Sequence, residues 1–420
     1  MDRNRPFRVT GMMVTQSRNL RTGKPIWPSP ALSSLNIRPL RRDTAADVLV
    51  IGAGITGAMV ADALAGAGLT VVVADRRGPA KGSTAASTAL VQYEIDQPLT
   101  RLARQIGEAD AVRAWRRTRL AVDALAARLE EIGTPKATRA PSLYIAGDTL
   151  DARALAREGD ARRAAGLETF FLKRAEVMER FGASAAAALL SYGNLAIDPR
   201  RACFSLLREA DRNGARIYAP ADIVDVKNSA RQVTATTADG IRIRAKHLVY
   251  ATGYEAPDGL PRGGHHVIST WAITTVPQRN MPCPNVMLWQ ASEPYIYLRC
   301  EGRRIICGGE DEEFSDDERR DALIARKTAT LQRKLRKLMP GVDTRVDYAW
   351  AGSFGASTTG LPIIGRVPRQ PRCFVAMGYG GNGTTYSRIA AEIIRAELTG
   401  RHDPDADLYA VKRRTGRRAA

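Results

Sequence analysis

A short glycine-rich segment, Gly52-x-Gly54-x-x-Gly57, constrains the fold of this chain more than any other feature. It follows an apolar run of buried-strand type at residues 47–51 and leads into a helical pattern at residues 59–65. A second apolar run at residues 69–73 ends just before an acidic residue, Asp75. The order strand, glycine turn, helix, strand predicts a βαβ unit with parallel strands.

Each part of this unit has a physical role in binding a dinucleotide. The glycines permit a tight turn and a close approach of the backbone to a pyrophosphate, and the helix N-terminus supplies N–H donors and a positive dipole. Asp75 can accept hydrogen bonds from ribose hydroxyls. We therefore predict a dinucleotide site, with an ordinary turn as the alternative for any one glycine.

Length and composition predict a globular protein of two domains. The chain has 420 residues, of which 44% are hydrophobic and 25% charged. It contains neither the roughly 20 uncharged apolar residues of a membrane span nor an N-terminal signal-peptide core. We expect a cytoplasmic protein.

The net charge of +19 is concentrated at the two ends of the chain. Residues 1–46 contribute +7 and residues 409–420 contribute +5, so the body is only mildly basic. Residues 1–46 are also rich in proline and are predicted to form a basic extended arm, and residues 401–420 a basic C-terminal tail. Nucleic acid is not the expected partner, although binding through these arms stays open as an alternative.

Cysteine and histidine give no pattern typical of a metal site or a disulfide framework. The five cysteines are scattered without a C-x-x-C pair, and the four histidines have no ligand-type neighbours at metal-binding spacing. We predict no metal.

Several further segments resemble one known group when taken together with the first motif. They are Gly82-Ser-Thr-Ala-Ala-Ser-Thr-Ala89, Leu248-Val-Tyr-Ala-Thr-Gly253, Trp350-Ala-Gly-Ser-Phe-Gly, Gly360-Leu-Pro-Ile-Ile-Gly365 and Met377-Gly-Tyr-Gly-Gly-Asn-Gly-Thr-Thr-Tyr386. From about residue 47 to 400 the chain resembles the D-amino acid oxidase, sarcosine oxidase and glycine oxidase superfamily of FAD-dependent oxidoreductases. The resemblance is strongest to the branch of γ-glutamylputrescine oxidoreductase and related amine oxidases.

The resemblance implies an α/β fold with two domains. A Rossmann-type FAD-binding domain, a parallel sheet with helices, is expected from residues 47–100, 195–265 and 345–400. An α+β substrate or cap domain with a mixed or antiparallel sheet is expected from residues 101–194 and 266–344.

The resemblance also implies which residues contact FAD. The first turn would hold the pyrophosphate, the residues at and after Ser83 would line the ribityl and flavin side, and Ile223 would meet the adenine through its main chain. A helix N-terminus at Gly380 to Thr385 would lie near flavin N1 and O2, where its dipole stabilises negative charge. The full set is Gly52, Ala53, Gly54, Ile55, Thr56, Gly57, Asp75, Arg76, Ser83, Thr84, Ser87, Thr88, Ala89, Ile223, Ala251, Thr252, Gly253, Gly380, Gly381, Asn382, Gly383, Thr384 and Thr385. For the four hydroxyl residues in this set that lie between 83 and 88, a role as N-cap or turn residue is the alternative.

Two departures from the family pattern bear on how FAD is held. Some relatives tether the flavin through a histidine in the N-terminal half or a cysteine before the proline loop. This chain has no histidine before His247 and no cysteine in residues 351–359, so non-covalent FAD is expected. Thr359 stands where many relatives carry an aspartate, and no flavin contact is assigned to it.

A strand candidate at residues 295–299 supplies the predicted substrate contacts. Tyr295, Tyr297 and Arg299 share one face by period-two alternation, so an arginine could clamp a carboxylate between tyrosine walls. The alternative is a surface strand with a solvent-facing arginine. Trp350 and Trp271 are pocket-wall candidates, with a buried core tryptophan as the alternative for each. No general base is visible, and no catalytic residue is assigned.

These implications predict an FAD-dependent oxidoreductase that oxidises the CH–NH bond of a small amine or amino acid. Hydride would pass to flavin N5, and water would hydrolyse the resulting imine. Oxygen or a quinone or carrier protein is the expected electron acceptor. The alternatives are oxidation of a 2-hydroxy acid or alcohol, and a nucleic-acid-associated flavoprotein that uses the basic arms.

Overall fold

A computed structural model describes residues 15, 17–31, 35–257, 260, 265–281, 285–377 and 379–411. Gly378 of the last glycine loop and the outer parts of both predicted arms lie outside these residues. The strands are β1 (Arg21–Gly23), β2 (Ile37–Arg38), β3 (Thr44–Ile51), β4 (Val71–Ala74), β5 (Leu90–Val91), β6 (Thr138–Ile145), β7 (Thr169–Lys173), β8 (Ala187–Ala196), β9 (Arg216–Tyr218), β10 (Ile223–Asn228), β11 (Val233–Thr237), β12 (Arg242–Tyr250), β13 (His266–Thr275), β14 (Met287–Gln290), β15 (Ile296–Glu301), β16 (Arg304–Glu312), β17 (Val346–Ala356), β18 (Ile363–Val367) and β19 (Gln370–Met377). The helices are α1 (Ile55–Ala65), α2 (Leu99–Ile106), α3 (Glu108–Glu131), α4 (Ala152–Ala164), α5 (Arg174–Phe181), α6 (Pro199–Arg212), α7 (Asp317–Ala322), α8 (Ile324–Leu338), α9 (Gly383–Leu398) and α10 (Ala406–Tyr409).

The first sheet is built around β3 and has the strand order β10-β11-β12-β3-β4-β9-β2, with β19 beside β12 and β18 beside β19. β3 pairs in parallel with β4 and with β12, and β12 pairs in parallel with β19. Val48, Leu49 and Val50 of β3 are at most 1% exposed, as a strand covered on both faces requires. The carboxyl ends of these four strands therefore lie at one edge of the sheet, where open α/β sheets bind ligands.

The second sheet is almost wholly antiparallel and has the order β1-β17-β13-β16-β15-β14-β6-β8-β5, with β7 beside β8. Only β14 and β6 pair in parallel in the described part of this sheet. α8 packs against β13, β16 and β17, with Leu331 and Leu335 fully buried. The two sheets confirm the expected combination of a parallel, helix-covered sheet and a mixed one.

Two predicted boundaries differ from the structure. Residues 345–400 were expected in the FAD-binding domain, but β17 at the start of this range pairs with β13 and β1 in the second sheet. The C-terminal tail was expected from residue 401, but Tyr409 is 1% exposed and packs edge-on against Tyr386. The acidic residues of this turn hold it in place, because Asp403 and Asp405 pair with arginines of α3.

The described residues of the N-terminal segment are integrated into the fold. β1 adds to the edge of the second sheet and β2 to the edge of the first. Trp27 is 5% exposed and Leu35 is 7% exposed, so the segment contributes apolar side chains to the interior. Among the described helices none is long and apolar enough to cross a membrane.

Candidate active site

A cavity follows the carboxyl-end edge of the first sheet and continues to the face of the second. It encloses about 1830 Å³ free of protein atoms, including the part that opens to solvent. Its lining runs from the glycine turn after β3 to the tyrosines of residues 295–297, so it extends over both sheets.

The glycine turn after β3 lies at one end of the cavity and is tightly packed. Gly52 has φ +110°, and a Cβ there would lie 2.4 Å from the Ala251 carbonyl oxygen. A Cβ on Gly57 would lie 1.8 Å from the Gly52 carbonyl oxygen. Only glycine fits either position, so the turn brings the backbone against both the cavity and the neighbouring strand.

Helix α1 starts at this turn with its N-terminus available to a ligand. Its N-cap, Gly54, provides no side-chain cap, and the first turn carries no acidic residue. The N–H of Ile55 donates to Oγ1 of Thr84 at 3.0 Å, and Thr56 also lines the cavity. A helix N-terminus whose own N-cap residue is glycine, beside a glycine turn, suits a pyrophosphate, so the residues present fit the cofactor that the sequence predicts.

Asp75 lies at the end of β4, and its carboxylate also binds backbone N–H groups of the protein. Its carboxylate accepts hydrogen bonds from the backbone N–H groups of Ala53, Arg77 and Gly78, each at 2.7 Å. A carboxylate offers about four acceptor sites, so capacity for a ribose hydroxyl remains. Asp75 therefore ties the glycine turn to the next loop and also lines the cavity.

The hydroxyl-rich loop after β4 is held from both sides by tryptophans. Trp350 donates from Nε1 to the carbonyl oxygen of Ala86 at 2.8 Å, and Trp27 donates to that of Ser87 at 2.6 Å. Ser87 Oγ accepts from the N–H of Ala89, which is the turn role weighed in the sequence analysis. Trp350 thus lines the cavity and also positions the loop.

Helix α9 brings a second uncapped N-terminus to the cavity. Its first turn carries no acidic residue and no side-chain cap. Asn382 donates through Nδ2 to the carbonyl oxygens of Gln92 and Glu94 at 3.1 and 2.8 Å, and Thr385 donates to that of Gln92 at 2.7 Å. These bonds leave the backbone N–H groups of the first turn to stabilise an anion.

The far end of the cavity is aromatic and acidic. Tyr295 and Tyr297 lie with ring centroids 5.5 Å apart, and Trp289 stacks on Tyr144 at 3.8 Å. Tyr254 lines the same region, and burial raises the pKa of its hydroxyl to about 12. These rings form an apolar wall around the position at which a substrate would meet the cofactor.

Asp96 is the most distinctive group at this end, and no motif in the sequence marks it. Its carboxylate faces the cavity and accepts the N–H of Gly381 at 2.6 Å. Desolvation raises the pKa of Asp96 to about 6, although the Gly381 hydrogen bond opposes the shift. Desolvation likewise raises the pKa of nearby Asp311 to about 7, where the charge of Asp96 adds to the effect. Burial also raises the pKa of Glu94, which is 2% exposed.

Arg299 does not line the cavity, which corrects the predicted carboxylate clamp. It is 1% exposed, so the alternative of a solvent-facing arginine is wrong as well. Its guanidinium pairs with Glu301 at 2.7 Å, donates to the carbonyl oxygen of Ile197 at 3.0 Å and lies over the ring of Trp27. Arg299 shares a face of β15 with Tyr297, as the alternation of side chains predicts, but Trp27 of the N-terminal segment covers the sheet at Arg299.

The cavity brings together most of the predicted residues. Those that line it are Gly52, Gly54, Ile55, Thr56, Asp75, Arg76, Ser83, Thr84, Ser87, Thr88, Ala89, Ile223, Ala251, Thr252, Gly253, Gly380, Gly381, Asn382, Gly383, Thr384, Tyr295, Tyr297 and Trp350. Four predicted residues do not line it: Ala53, Gly57, Thr385 and Arg299. The first three support the cavity wall through backbone contacts or hydrogen bonds.

Comparison with known proteins decides the family. The model of the DAO family, described as FAD dependent oxidoreductase, matches residues 47–397. The chain belongs to the DAO family of FAD-dependent oxidoreductases. This DAO-family protein is an oxidoreductase with FAD as its cofactor, and the expected resemblance is confirmed.

Individual relatives of this DAO-family chain are distant but cover most of its length. It is 22% identical over 383 residues to a probable oxidoreductase, OrdL, of Haemophilus influenzae, covering 86% of this chain and 85% of that one. It is 22% identical to gamma-glutamylputrescine oxidoreductase of Escherichia coli, covering 88% of each. The crystal structure of glycine oxidase from Geobacillus kaustophilus is 20% identical with a TM-score of 0.73, covering 89% of this chain and all of that one.

Proposed function

We propose that this protein oxidises the CH–NH bond of a small amine that carries no carboxylate. The observation that carries the proposal is the distribution of charge along the cavity. Its described basic residues, Arg76, Arg77 and Lys81, all follow β4 at the nucleotide end, and the two arginines are paired with Asp222 and Glu255.

The substrate end has the opposite character. Among the described residues that line it, Asp96 and Glu94 are acidic, and none is arginine or lysine. A ligand carboxylate placed there would meet like charge in a desolvated site, whereas an ammonium group would be attracted. The charge pattern therefore favours an amine over an amino acid, and an amino acid over a 2-hydroxy acid.

The residues of this end can position such a substrate without a dedicated base. Tyr254, Tyr295 and Tyr297 would hold the alkyl part, and a cation gains from the faces of aromatic rings. The bound flavin would supply the acceptor for the hydride. The amine loses its N–H proton to solvent or to a carboxylate, and water adds to the imine to give a carbonyl compound and ammonia.

Two printed names among the relatives agree with nitrogen-containing substrates. One is gamma-glutamylputrescine oxidoreductase and the other is glycine oxidase. The first name describes an amine substrate and the second an amino acid. The restriction to an amine without a carboxylate rests on the acidic substrate end of this chain and not on these names.

The proposal is tested with three ligands of equal carbon count: butylamine, 2-aminobutanoate and 2-hydroxybutanoate. Each is added anaerobically to the holoprotein, and the loss of visible flavin absorbance is followed in time. We expect butylamine to reduce the flavin fastest and 2-hydroxybutanoate not to reduce it. Reduction by 2-aminobutanoate or by 2-hydroxybutanoate without reduction by butylamine would overturn the proposal.

A further inference from the structure

The segment from residue 17 to 31, here called the N-terminal strap, lies outside the part of the chain that matches the family. It nevertheless touches both sheets and the cavity. Leu20 of the strap and the neighbouring Thr15 both line the cavity that is assigned to FAD. A segment beyond the family domain therefore forms part of the wall of the cofactor site.

The strap is attached first at the nucleotide end of the cavity. The carbonyl oxygen of Arg18 accepts from the Arg77 guanidinium at 2.9 Å, and the N–H of Arg18 donates to Glu255 at 2.7 Å. Arg76 donates to the carbonyl oxygen of Thr15 at 3.1 Å. Because Arg76, Arg77 and Glu255 also line the cavity, these bonds close the wall next to Asp75.

The strap then crosses to the second sheet. The N–H of Asn19 donates to Asp317 at 3.0 Å, and its side-chain amide donates to Asp321 at 3.2 Å. β1 pairs with β17, with Arg21 opposite Gly352 and Gly23 opposite Trp350. The strap thus links the two sides of the cavity.

A third attachment reaches the loop that lines the flavin side. Trp27 is 5% exposed, and its indole N–H donates to the Ser87 carbonyl oxygen at 2.6 Å. Arg200 donates to Oγ of Ser29 at 2.7 Å and holds the strap beyond this tryptophan. The guanidinium of Arg299, which does not line the cavity, lies over the ring of Trp27. This contact stabilises the strap.

Leu20 lies between these attachments and presents its side chain to the cavity. It is 7% exposed, and its Cδ1 would lie 3.4 Å from a Cβ on Gly82. Its carbonyl oxygen accepts the N–H of Ser353 at 2.9 Å, which fixes the residue at the junction of the two sheets.

We propose that the N-terminal strap is a functional part of the FAD site, in which Leu20 contacts the bound dinucleotide and the strap must detach before FAD leaves. FAD binding and strap closure then stabilise each other to the same extent, as thermodynamic linkage requires. The family domain by itself provides the glycine turn and the helix N-termini, and the strap retains what they bind.

The first test measures FAD dissociation from the holoprotein after dilution, in wild type and in Leu20→Ala. We expect dissociation to be about tenfold faster in Leu20→Ala, since the substitution removes three side-chain carbons, of which the two methyl groups would contact the dinucleotide. Leu120→Ala is the matched control, because Leu120 is 61% exposed on α3 and lies away from the strap. Equal dissociation rates in wild type and Leu20→Ala contradict the proposal.

The second test needs no substitution, because it measures the protection of the strap amides in the unmodified chain. Amide hydrogen exchange of residues 17–27 is measured in the unmodified chain with FAD bound and after FAD has been removed. We expect these amides to be at least about tenfold better protected with FAD bound. Equal protection in both states overturns the proposal, whatever the variant does.

Discussion

The backbone N–H of Gly381 donates a hydrogen bond of 2.6 Å to the carboxylate of Asp96. This bond joins the turn that precedes α9 to the acidic end of the cavity. A Cβ on Gly380 or Gly381 would lie within 2.6 Å of an Asp96 oxygen, so the glycines let the carboxylate sit against the helix N-terminus. The charge of Asp96 is thereby placed where an ammonium group of the substrate would enter.

The charge of Asp96 predicts the pH dependence of substrate affinity. Since the pKa of this carboxyl is raised to about 6, it is ionised at neutral pH and becomes neutral as the pH falls through that value. We expect the KM for butylamine to rise below about pH 6, while kcat falls separately as more of the amine is protonated. Steady-state kinetics between about pH 5 and 8 measure both.

The Asp96→Asn variant isolates this effect. We expect its KM for butylamine to be about tenfold higher than that of wild type at pH 7 and to change little below pH 6. Asp239→Asn is the matched control, because Asp239 is exposed in the turn after β11. A KM in Asp96→Asn equal to that of wild type would exclude a role of this charge in binding.

Gly57→Ala tests the packing of the glycine turn. The new Cβ would lie 1.8 Å from the Gly52 carbonyl oxygen, so the turn must shift and the helix N-terminus with it. We expect a loss of about 1–3 kcal/mol in the free energy of unfolding and at least a tenfold weaker FAD affinity. Gly341→Ala serves as control, since a Cβ there meets nothing within 4 Å, and retention of FAD by Gly57→Ala at wild-type affinity would refute the assignment.

Arg299→Ala distinguishes a structural arginine from a substrate clamp. The substitution leaves Glu301 without its buried partner and exposes the ring of Trp27. We expect the free energy of unfolding to fall by about 3 kcal/mol, with KM unchanged within about twofold. Urea unfolding gives the free energy of unfolding, and steady-state kinetics give KM. A large increase in KM without loss of stability would support the predicted role of Arg299 in binding a substrate carboxylate.

The buried ion pair of Glu158 with Arg162 is expected to stabilise the fold at neutral pH and to lose this effect in acid. Its carboxylate accepts the N–H groups of Leu99 and Thr100 at 2.8 and 2.9 Å and pairs with Arg162 at 2.9 Å, and both charged side chains are fully buried. Burial by itself would raise the pKa of Glu158, but the charge of Arg162 and the Thr100 hydrogen bonds outweigh it and lower the pKa.

A lowered pKa means that this contribution is present above the unfolded value of 4.5 and is lost as the pH falls through the folded value. We expect Glu158→Gln to be about 3 kcal/mol less stable than wild type at pH 7, with the difference shrinking in acid. Glu168→Gln, at an exposed position before β7, is the control. A difference between Glu158→Gln and wild type that stays constant down to pH 3.5 would contradict the assignment.

Sequence reasoning succeeded where the structure depends on local spacing. The glycine turn, α1 and Asp75 follow each other within one βαβ unit, so their arrangement is fixed by residues close in the chain. The helical pattern at residues 59–65 likewise falls within α1. The cavity lining at the glycine turn and Asp75 could therefore be predicted from local spacing.

Features that depend on distant partners could not be predicted in this way. Asp96 is 285 positions from Gly381, and nothing around it in the sequence marks a cavity residue. Arg299 lies on the strand face that the alternation of side chains predicts. Its contact with Trp27, 272 positions earlier in the chain, arises from tertiary packing and could not be predicted from the strand. The alanine-rich residues 183–188 favour a helix by propensity, yet they lead into β8, which pairs with β5, β6 and β7.

The most direct test of the account combines cofactor and substrate in one anaerobic experiment. The purified protein is recorded by visible absorbance, reduced with butylamine in the absence of air, and then denatured to identify the released flavin. We expect one FAD per chain, bleaching of its absorbance by the amine, and complete release of FAD from the denatured chain. A chain that neither contains nor takes up FAD, or whose flavin no amine reduces, would contradict the account.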